Sequence, residues 1–288
     1  WVQLGSDITG PPQTQFGFAV DLNSLGDRIA IGAPNDGTSG NNSGSVSIFD
    51  FDGTNWNQIG IKLNGSNAND HFGYSVSLNS NGNILAIGAP ENGQGAYYGY
   101  VKVYNFINNF WFQLGSTLFA GNGGSNPCTT QERYFGNSVA LNNDGSKLVV
   151  GAPNTTIDYT FGQCGTYGSH GGSIIYFSFG TDWSILDDFN GSGNSTPGYQ
   201  NNGYGDYLGY SVAINSFGDK IAAGMPGFTY NTNSLIGKAK VFTLTNSSLS
   251  SSGNTLTGNS NGGEFGYCIS LNSLGTKLVV SEPYSNSV

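Results

Sequence analysis

The sequence predicts an all-β fold: a β-propeller of four-stranded antiparallel blades, with five repeats detectable and the last blade incomplete within this chain. Three observations predict it. A short apolar phrase closed by a small residue and a proline occurs five times: RIAIGAPNDG from 28, NILAIGAPENG from 83, KLVVGAPNTT from 147, KIAAGMPGFT from 220 and KLVVSEPYSN from 277. Its proline falls at 34, 90, 153, 226 and 283, and three further phrases recur in phase with it. No segment places apolar residues at helical spacing.

Taken in chain order within a repeat, strand A is the phrase FGFAVDLNSLGD from 16, repeated as FGYSVSLNSNGN from 72, FGNSVALNNDGS from 135, LGYSVAINSFGD from 208 and FGYCISLNSLGT from 265. Strand B is the Gly-Ala-Pro phrase. Strand C is SGSVSIFDF at 43–51, GYVKVYNF at 99–106, GGSIIYFSF at 171–179 and GKAKVFTL at 237–244. Strand D carries a tryptophan or its remnant: WVQLGSDITG from 1, WNQIGIKLNG from 56, WFQLGSTLFAG from 111 and WSILDDFNG from 183, with SSGNTLTG keeping only the tail. Each phrase alternates apolar and polar residues or forms a short apolar run between turn residues, which are strand signatures. The linkers N-S-L-G, N-N-D-G and F-D-G-T-N are hairpin turns, where Asn and Gly tolerate positive φ. A and B are expected near the ring axis, where small residues fit the taper, and proline ends strand B because it has no ladder N–H to give.

These phrases divide one domain, 1–288, into repeats at about 11–60, 67–115, 130–186, 203–258 and a partial 260–288. Residues 1–10 are then the outer strand of a closing or preceding blade. The final blade lacks a strand C, which is expected either from a longer parent chain or from a neighbouring molecule by β-augmentation. The opening on Trp1, inside a motif, suggests a mature or truncated product.

Composition fits a folded, turn-rich chain. Charged residues make up only 9% of 288 residues and glycines number 46, but aromatics reach 13%, too many for a disordered chain. The net charge of −9 and the absence of basic stripes exclude nucleic acid as a partner. No apolar run reaches the ~20 residues that a membrane-spanning helix needs, so membrane insertion is not expected. Of three cysteines, Cys128 and Cys164 lie in Gly- and Asn-rich insertions of the third repeat and are the expected loop disulfide. Cys268 fills a slot held by Ala19, Ser75, Ser138 and Ser211 and is expected to be a buried, inert thiol. Three free thiols in a reducing compartment remain the alternative.

Phe-Gly followed by Gly-Ala-Pro across an A–B hairpin resembles the FG-GAP repeat, best known from the propeller of integrin α subunits, in the extracellular variety where a W-x-Q-[LI]-G strand precedes each Phe-Gly. The resemblance spans nearly the whole chain. It implies an extracellular or cell-surface location and adhesion, matrix or surface-layer roles, with no common enzymatic activity.

Integrin-type repeats often carry calcium in D-x-[DN]-x-D-G loops between A and B, which need several carboxylates around a glycine turn. The matching windows here, D-L-N-S-L-G at 21–26, S-L-N-S-N-G at 77–82, A-L-N-N-D-G at 140–145, A-I-N-S-F-G at 213–218 and S-L-N-S-L-G at 270–275, keep only Asp21 and Asp144, in different blades. They read as plain turns, and no cofactor is expected, with Ca²⁺ weakly supported at best. No catalytic set emerges: His71 and His170 have no evident common partner, and the adjacent Asp187 and Asp188 point to opposite faces of a strand. Sequons occur at Asn41, Asn64, Asn154, Asn190, Asn194 and Asn246, without enrichment over chance; Pro197 compromises Asn194, while Asn41 and Asn154 lie in B–C loops.

Charge placement distinguishes the two faces. Arg28, Lys147, Lys220 and Lys277 occupy one slot before strand B, with Asn83 in the remaining repeat. The opposite face, made of D–A and B–C loops, has Asp7, Asp36, Asp70, Glu91, Glu132, Asp158, Asp187, Asp188, Asp206, Glu264 and Glu282 against Arg133 alone, and it carries the long insertions at 119–134, 154–172 and 187–207. It is the expected binding face. The expected role is an extracellular structural or adhesive propeller without enzymatic activity, self-assembling or a filament or surface-layer subunit, with other protein subunits or cell-surface and matrix components as partners. Glycan binding through loop aromatics (Tyr97, Tyr98, Tyr159, Tyr167, Tyr199, Tyr204) is the alternative, and a glycoside-active enzyme a more distant one.

Overall fold

The computed structural model describes residues 1–91, 99–120, 134–154, 156–157, 169–191, 205–227 and 235–285. Among them every regular element is a strand. The first blade comprises β1 (Ala19–Leu22), β2 (Arg28–Ala33), β3 (Ser45–Phe51) and an outer strand in two pieces, β4 (Trp56–Gln58) and β5 (Leu63–Asn64). The second has β6 (Ser75–Leu78), β7 (Ile84–Ala89), β8 (Tyr100–Ile107), and again two outer pieces, β9 (Phe110–Gln113) and β10 (Leu118–Phe119). The third has β11 (Ser138–Leu141), β12 (Lys147–Ala152), β15 (Ser173–Phe179) and β16 (Trp183–Asn190), with a small hairpin, β13 (Thr156–Ile157) and β14 (Ser169–His170), between its second and third strands. The fourth has β17 (Val212–Ile214), β18 (Lys220–Met225), β19 (Lys238–Thr245) and β20 (Ser248–Thr257); β21 (Ile269–Leu271) and β22 (Leu278–Val280) form a two-stranded sheet after it. Strands within each sheet pair antiparallel, isolated parallel bridges link successive blades at Gly44–Phe72, Gly172–Leu208 and Gly237–Phe265, and the inner strands of successive blades lie side by side, as in a propeller.

The strand ends follow from local chemistry. Each second strand stops at the residue before its proline, at Ala33, Ala89, Ala152 and Met225. The C–D hairpins turn on Asn108–Asn109 and Asn246–Ser247, all at φ between 50° and 67°, the paired left-handed conformation of a type I′ turn. The outer strand breaks in blades one and two at Gly60 and Gly115, both at positive φ; where that glycine is missing, in W-S-I-L-D-D, β16 runs unbroken through a register shift. Every A–B turn is closed by the Asn of L-N-x-x-G. The Oδ1 atoms of Asn23, Asn79, Asn142, Asn215 and Asn272 each accept the N–H of the residue that opens the next strand, at 2.8–3.0 Å.

Packing between blades repeats one arrangement. The middle residue of strand B and two residues of strand C present a flat face to the next blade. Ala30, Val46 and Ile48 pack on Phe72, Val76, Leu78, Leu85 and Ile87, and Ala86, Val101 and Val103 pack on Phe135, Val139, Leu141, Leu148 and Val150 in the same way. Val149, Ile174 and Tyr176 meet Leu208, Ile221 and Ala223, and Ala222 and Ala239 meet Ile269. The faces come together because the backbones nearly touch. A Cβ on Gly32, Gly88, Gly151 or Gly224 would lie 1.9–2.0 Å from the carbonyl oxygen of Gly73, Gly136, Gly209 or Gly266 in the following blade. The same carbonyls of Gly136, Gly209 and Gly266 accept hydrogen bonds from Ser75, Ser138 and Ser211 Oγ at 2.8–2.9 Å. A chain of backbone bonds also joins the A–B turns around the ring, from Ser24 N to Ser80 O, Ser80 N to Asn143 O, Asn143 N to Ser216 O and Ser216 N to Ser273 O.

Residues 1–10 pair with no strand, but they pack on blade one as an outer strand packs on the next blade. Trp56 Nε1 donates to Leu4 O at 3.0 Å, as Trp183 Nε1 donates to Leu114 O at 3.0 Å. Gln3 Nε2 donates to Gly5 O, as Gln113 Nε2 donates to Gly115 O.

The structure corrects three expectations. Cys268 is exposed, not buried: its slot is covered only where a following blade packs against it, and Ser75, Ser138 and Ser211 use that contact for their inter-blade bonds. The exposure of Val279, 71% where its counterpart Ala222 is fully covered, has the same origin. The slot of Arg28, Lys147 and Lys220 is filled in blade two by Ile84, not Asn83, since Arg28 pairs with Asp50 on strand C as Ile84 pairs with Asn105. Nor are these bases a free cationic ring. Arg28 is clamped by Asp50 at 2.6 and 2.7 Å, donates to Gly82 O across the blade boundary and lies 4.6 Å from the Phe106 ring centroid. Lys147 and Lys220 donate to Ser178 Oγ and Thr243 Oγ1.

The close approach of glycines yields a stability prediction. Gly151→Ala forces a methyl group onto Gly209 O and should lower the free energy of unfolding in urea by about 3 kcal/mol. Gly180→Ala, at an exposed turn with open space around it, should change it by no more than about 0.5 kcal/mol. Equal effects of the two substitutions would contradict this account of blade packing.

Candidate functional site

The loops entering strand A build the site. The residue before each Phe-Gly or Leu-Gly lies in the left-handed region although it is not glycine: Gln15 (φ 55°), His71 (54°), Tyr134 (60°), Tyr207 (55°) and Glu264 (54°). Its carbonyl accepts the N–H of the third residue on, from Phe18, Tyr74, Asn137, Tyr210 and Tyr267, at 3.0–3.2 Å. A left-handed non-glycine residue costs about 1–2 kcal/mol, and the same strained turn stands in all five repeats. The glycine that follows two residues on, at φ 87–96°, donates its N–H to the carbonyl of Gly32, Gly88, Gly151, Gly224 or Ser281 and tightens the turn. The turn is constant while the residues at its two ends vary, so the fold presents two rings of interchangeable side chains around one end of the axis.

Four blades contribute these residues to a cavity of about 310 Å³. Tyr74, Tyr134, Tyr207 and Tyr210 line it with Asn137 and Glu264, and the residues around the strand-B prolines, Pro90–Glu91, Pro153–Asn154 and Pro226–Gly227, complete the wall with Leu235. The Tyr207 ring occupies the place a side chain at Gly227 would take, since a Cβ there would lie 1.9 Å from the ring. Aromatic contacts continue around the rim: Phe18 to Tyr74 (centroids 4.8 Å apart), Tyr210 to Tyr267 (5.0 Å) and Tyr267 to Tyr284 (6.4 Å). Asn137 Nδ2 donates to Tyr210 O at 2.9 Å and ties two blades together at the pocket wall.

The electrostatics of the pocket are set by burial. Burial pushes the Glu264 carboxyl above the usual carboxylate range. It also raises the phenols of Tyr74 and Tyr210, the first with help from Tyr267 and Glu91 and the second through its hydrogen bond with Tyr267, so both stay protonated. His71 Nδ1 stands 3.2 Å behind Glu91 Oε2 and is itself buried with no hydrogen-bond partner in line. Asn154 Oδ1 is also buried and without a partner, in the wall of the same pocket. Among the described lining residues none is Lys, Arg, Ser, Thr or Cys.

The residues singled out from the sequence fall elsewhere, with a few exceptions. Asp21 Oδ2 accepts Leu78 N of the next blade at 2.7 Å, and burial raises its carboxyl. Asp144 accepts Ser146 N at 2.8 Å within its own turn. The two therefore serve separate turns, and among the described residues no group of three metal-ligating side chains exists. Asp187 accepts Leu249 N and Asp188 accepts from Asn190 Nδ2, so neither faces the pocket. Asn41, Asn190 and Asn246 are exposed, Asn64 is half-buried, and Asn154 is in the pocket wall. The side chain of His170, both cysteines of the expected Cys128–Cys164 disulfide, Asn194 and the loop tyrosines 97, 98, 159, 167, 199 and 204 lie outside the described residues.

The expected acidic loop face is also corrected. Asp36, Asp70 and Asp206 are buried turn locks, at 5%, 0% and 4% exposure. Asp70 Oδ2 accepts from Tyr100 Oη at 2.7 Å and from Ser66 N and Asn67 N. Asp36 accepts from Lys62 Nζ (2.7 Å), Ser45 Oγ and the Thr38 hydroxyl and amide. What remains of the acidity at the axis is Glu91 and Glu264. Sequence reasoning missed this pocket, although the signal was present in the variable residues flanking an otherwise constant Phe-Gly.

No protein family's model matches the sequence, and no curated protein is similar to it. Solved structures do match in fold. The chain is similar to the hydrazine synthase of Kuenenia stuttgartiensis, with 10% identity, a TM-score of 0.52, and coverage of 93% of this chain and 71% of that one. It is also similar to the Dos1 propeller (16%, 0.44, 86% and 52%) and to the periplasmic gluconolactonase of Pseudomonas aeruginosa (12%, 0.44, 93% and 78%). At these identities the likeness shows the fold, an all-β propeller of four-stranded antiparallel sheets. The expectation of an adhesive, non-enzymatic role is corrected: the hydrazine synthase has this same fold, so the fold does not carry that role. Low surface charge and a repeated scaffold carry no information against catalysis when the variable residues converge on a pocket.

Asp36 gives a pH-dependent prediction. Burial alone would raise its carboxyl, but the bonds from Lys62, Thr38 and Ser45 outweigh that and hold it well below the usual range. A carboxyl depressed in the folded state contributes stability above its unfolded pKa, about 3.9, and loses it as pH falls through the folded value. Asp36→Asn should therefore cost about 2 kcal/mol at pH 7, with the difference from wild type shrinking below pH 4. A difference that stays constant between pH 7 and pH 3 would rule out the ion pair as its source.

Proposed function

We propose that the protein is a hydrolase of small esters working at the axial pocket, with Glu91 as general base. The observation that carries this is a carboxylate at a pocket lined by phenol and amide donors, with an imidazole 3.2 Å away and, among the described lining residues, no side-chain hydroxyl or thiol nucleophile other than the phenols. Glu91 takes a proton from a water molecule, whose oxygen forms a bond to the ester carbonyl carbon. The carbonyl oxygen becomes an oxyanion that accepts hydrogen bonds from tyrosine hydroxyls, which burial keeps protonated. Collapse breaks the carbon–oxygen bond to the alcohol, and the departing oxygen takes the proton from Glu91. His71 stands behind the Glu91 carboxylate, its Nδ1 3.2 Å from Oε2 but out of line for a hydrogen bond, and limits its movement by contact. The cavity, at the small end of ligand pockets, limits the substrate to a compact molecule.

Two further readings accompany it. The contact of each Phe-Gly with the Gly-Ala-Pro glycine of its neighbour supports kinship with FG-GAP repeats. The packing of residues 1–10 on blade one, together with the open faces at Val20 and Val279, supports a ring whose described sheets are five repeats with the last lacking its outer strands.

Proton release from phenyl acetate, ethyl acetate and γ-butyrolactone tests the activity. The wild type should turn over at least one of these, and Glu91→Gln should reduce kcat by 100-fold or more with an unchanged melting temperature. His71→Gln should lower kcat by less than Glu91→Gln does, retaining part of the rate. Full activity in Glu91→Gln would refute the assignment, as would inertness of the wild type towards all three esters.

A further inference from the structure

We infer that the axial pocket selects a substrate carrying an organic ammonium group, held in a tyrosine cage with Glu264 as counter-ion. The inference rests on the pocket being the ligand site and adds the chemistry of what enters it. Four tyrosines line one cavity of about 310 Å³, and the ring faces of tyrosine attract cations most strongly where water is excluded. Two carboxyl groups, Glu91 and Glu264, share that cavity with no Lys or Arg among the described lining residues, so its formal charges favour a cation.

The two carboxyl groups call for a positively charged ligand; a neutral hydroxylated ring would leave Glu264 uncompensated. Burial raises the Glu264 carboxyl, and a cation bound beside it favours its ionised form. The two carboxyl groups then divide the work: Glu264 neutralises the ammonium group while Glu91 serves the reacting end.

Calorimetry with choline and with its uncharged carbon isostere, 3,3-dimethylbutan-1-ol, tests this without requiring turnover. Choline should bind the full chain at least tenfold more tightly than the isostere, and more tightly at pH 8 than at pH 5, because ionised Glu264 is the binding form. Glu264→Gln should remove most of that preference while leaving isostere binding unchanged. Tyr210→Leu should weaken choline binding by tenfold or more, a second probe should Glu264→Gln fail to fold. Equal affinity for the two compounds, or a choline preference that survives both substitutions, overturns the inference. Choline binding without hydrolysis of any ester would sink the hydrolase reading and leave this one standing; ester turnover with no preference for choline would do the reverse.

Discussion

The structure depends on the near-contact of two glycine backbones at every blade boundary. The last glycine of strand B in one blade lies so close to the carbonyl of the Phe-Gly glycine in the next that no side chain fits between them. That contact fixes the spacing of blades at the axis, and other features follow from it. The serine two residues after the Phe-Gly glycine can reach the same carbonyl, the alanine or valine in mid-strand B becomes fully covered, and the A–B turns come close enough to bond backbone to backbone. The last sheet shows what happens without it. Ser281 stands in the glycine's place, Cys268 stands in the serine's, and both Val279 and Cys268 face solvent.

The same contact shapes the axial pocket. Bringing glycine carbonyls to the axis requires the Phe-Gly glycine at φ near 90°, and the residue two positions earlier is driven into the left-handed region whatever its identity. The backbone holds the side chain at that point in a strained but fixed direction. Tyrosine, histidine and glutamate are placed there in the middle repeats and the last, without any change to the scaffold. The site is thus an emergent product of repetition: each blade supplies one or two groups, and only their sum makes a pocket.

Much of the fold was legible in the sequence because it is written in glycines, prolines and apolar alternation, each with a local mechanism. Strands A to D, the Asn-Gly turns and the proline that stops strand B all stand where their residue types demand. The acids were harder to place. Asp36, Asp70 and Asp206 look like surface charges in Gly- and Asn-rich loops, and only the fold brings Lys62, Tyr100 and backbone amides to cover them. Ile84 was displaced by one residue because the neighbouring Asn83 resembles a polar turn position more than an apolar side chain does. The pocket was hidden for a deeper reason: Tyr74, Tyr134, Tyr207 and Glu264 are far apart in the chain and unlike one another, so no motif joins them, and their convergence depends on a backbone conformation that residue type does not reveal.

The central claim is that small cations are received at the propeller axis and not on the outer surfaces of the blades. The most direct measurement is anomalous diffraction from crystals soaked in tetramethylarsonium, a compact quaternary cation with a strong arsenic signal. The account predicts a peak inside the axial pocket, among Tyr74, Tyr207, Tyr210 and Glu264. A well-ordered crystal with no peak there, or with peaks confined to the outer strands, would contradict it.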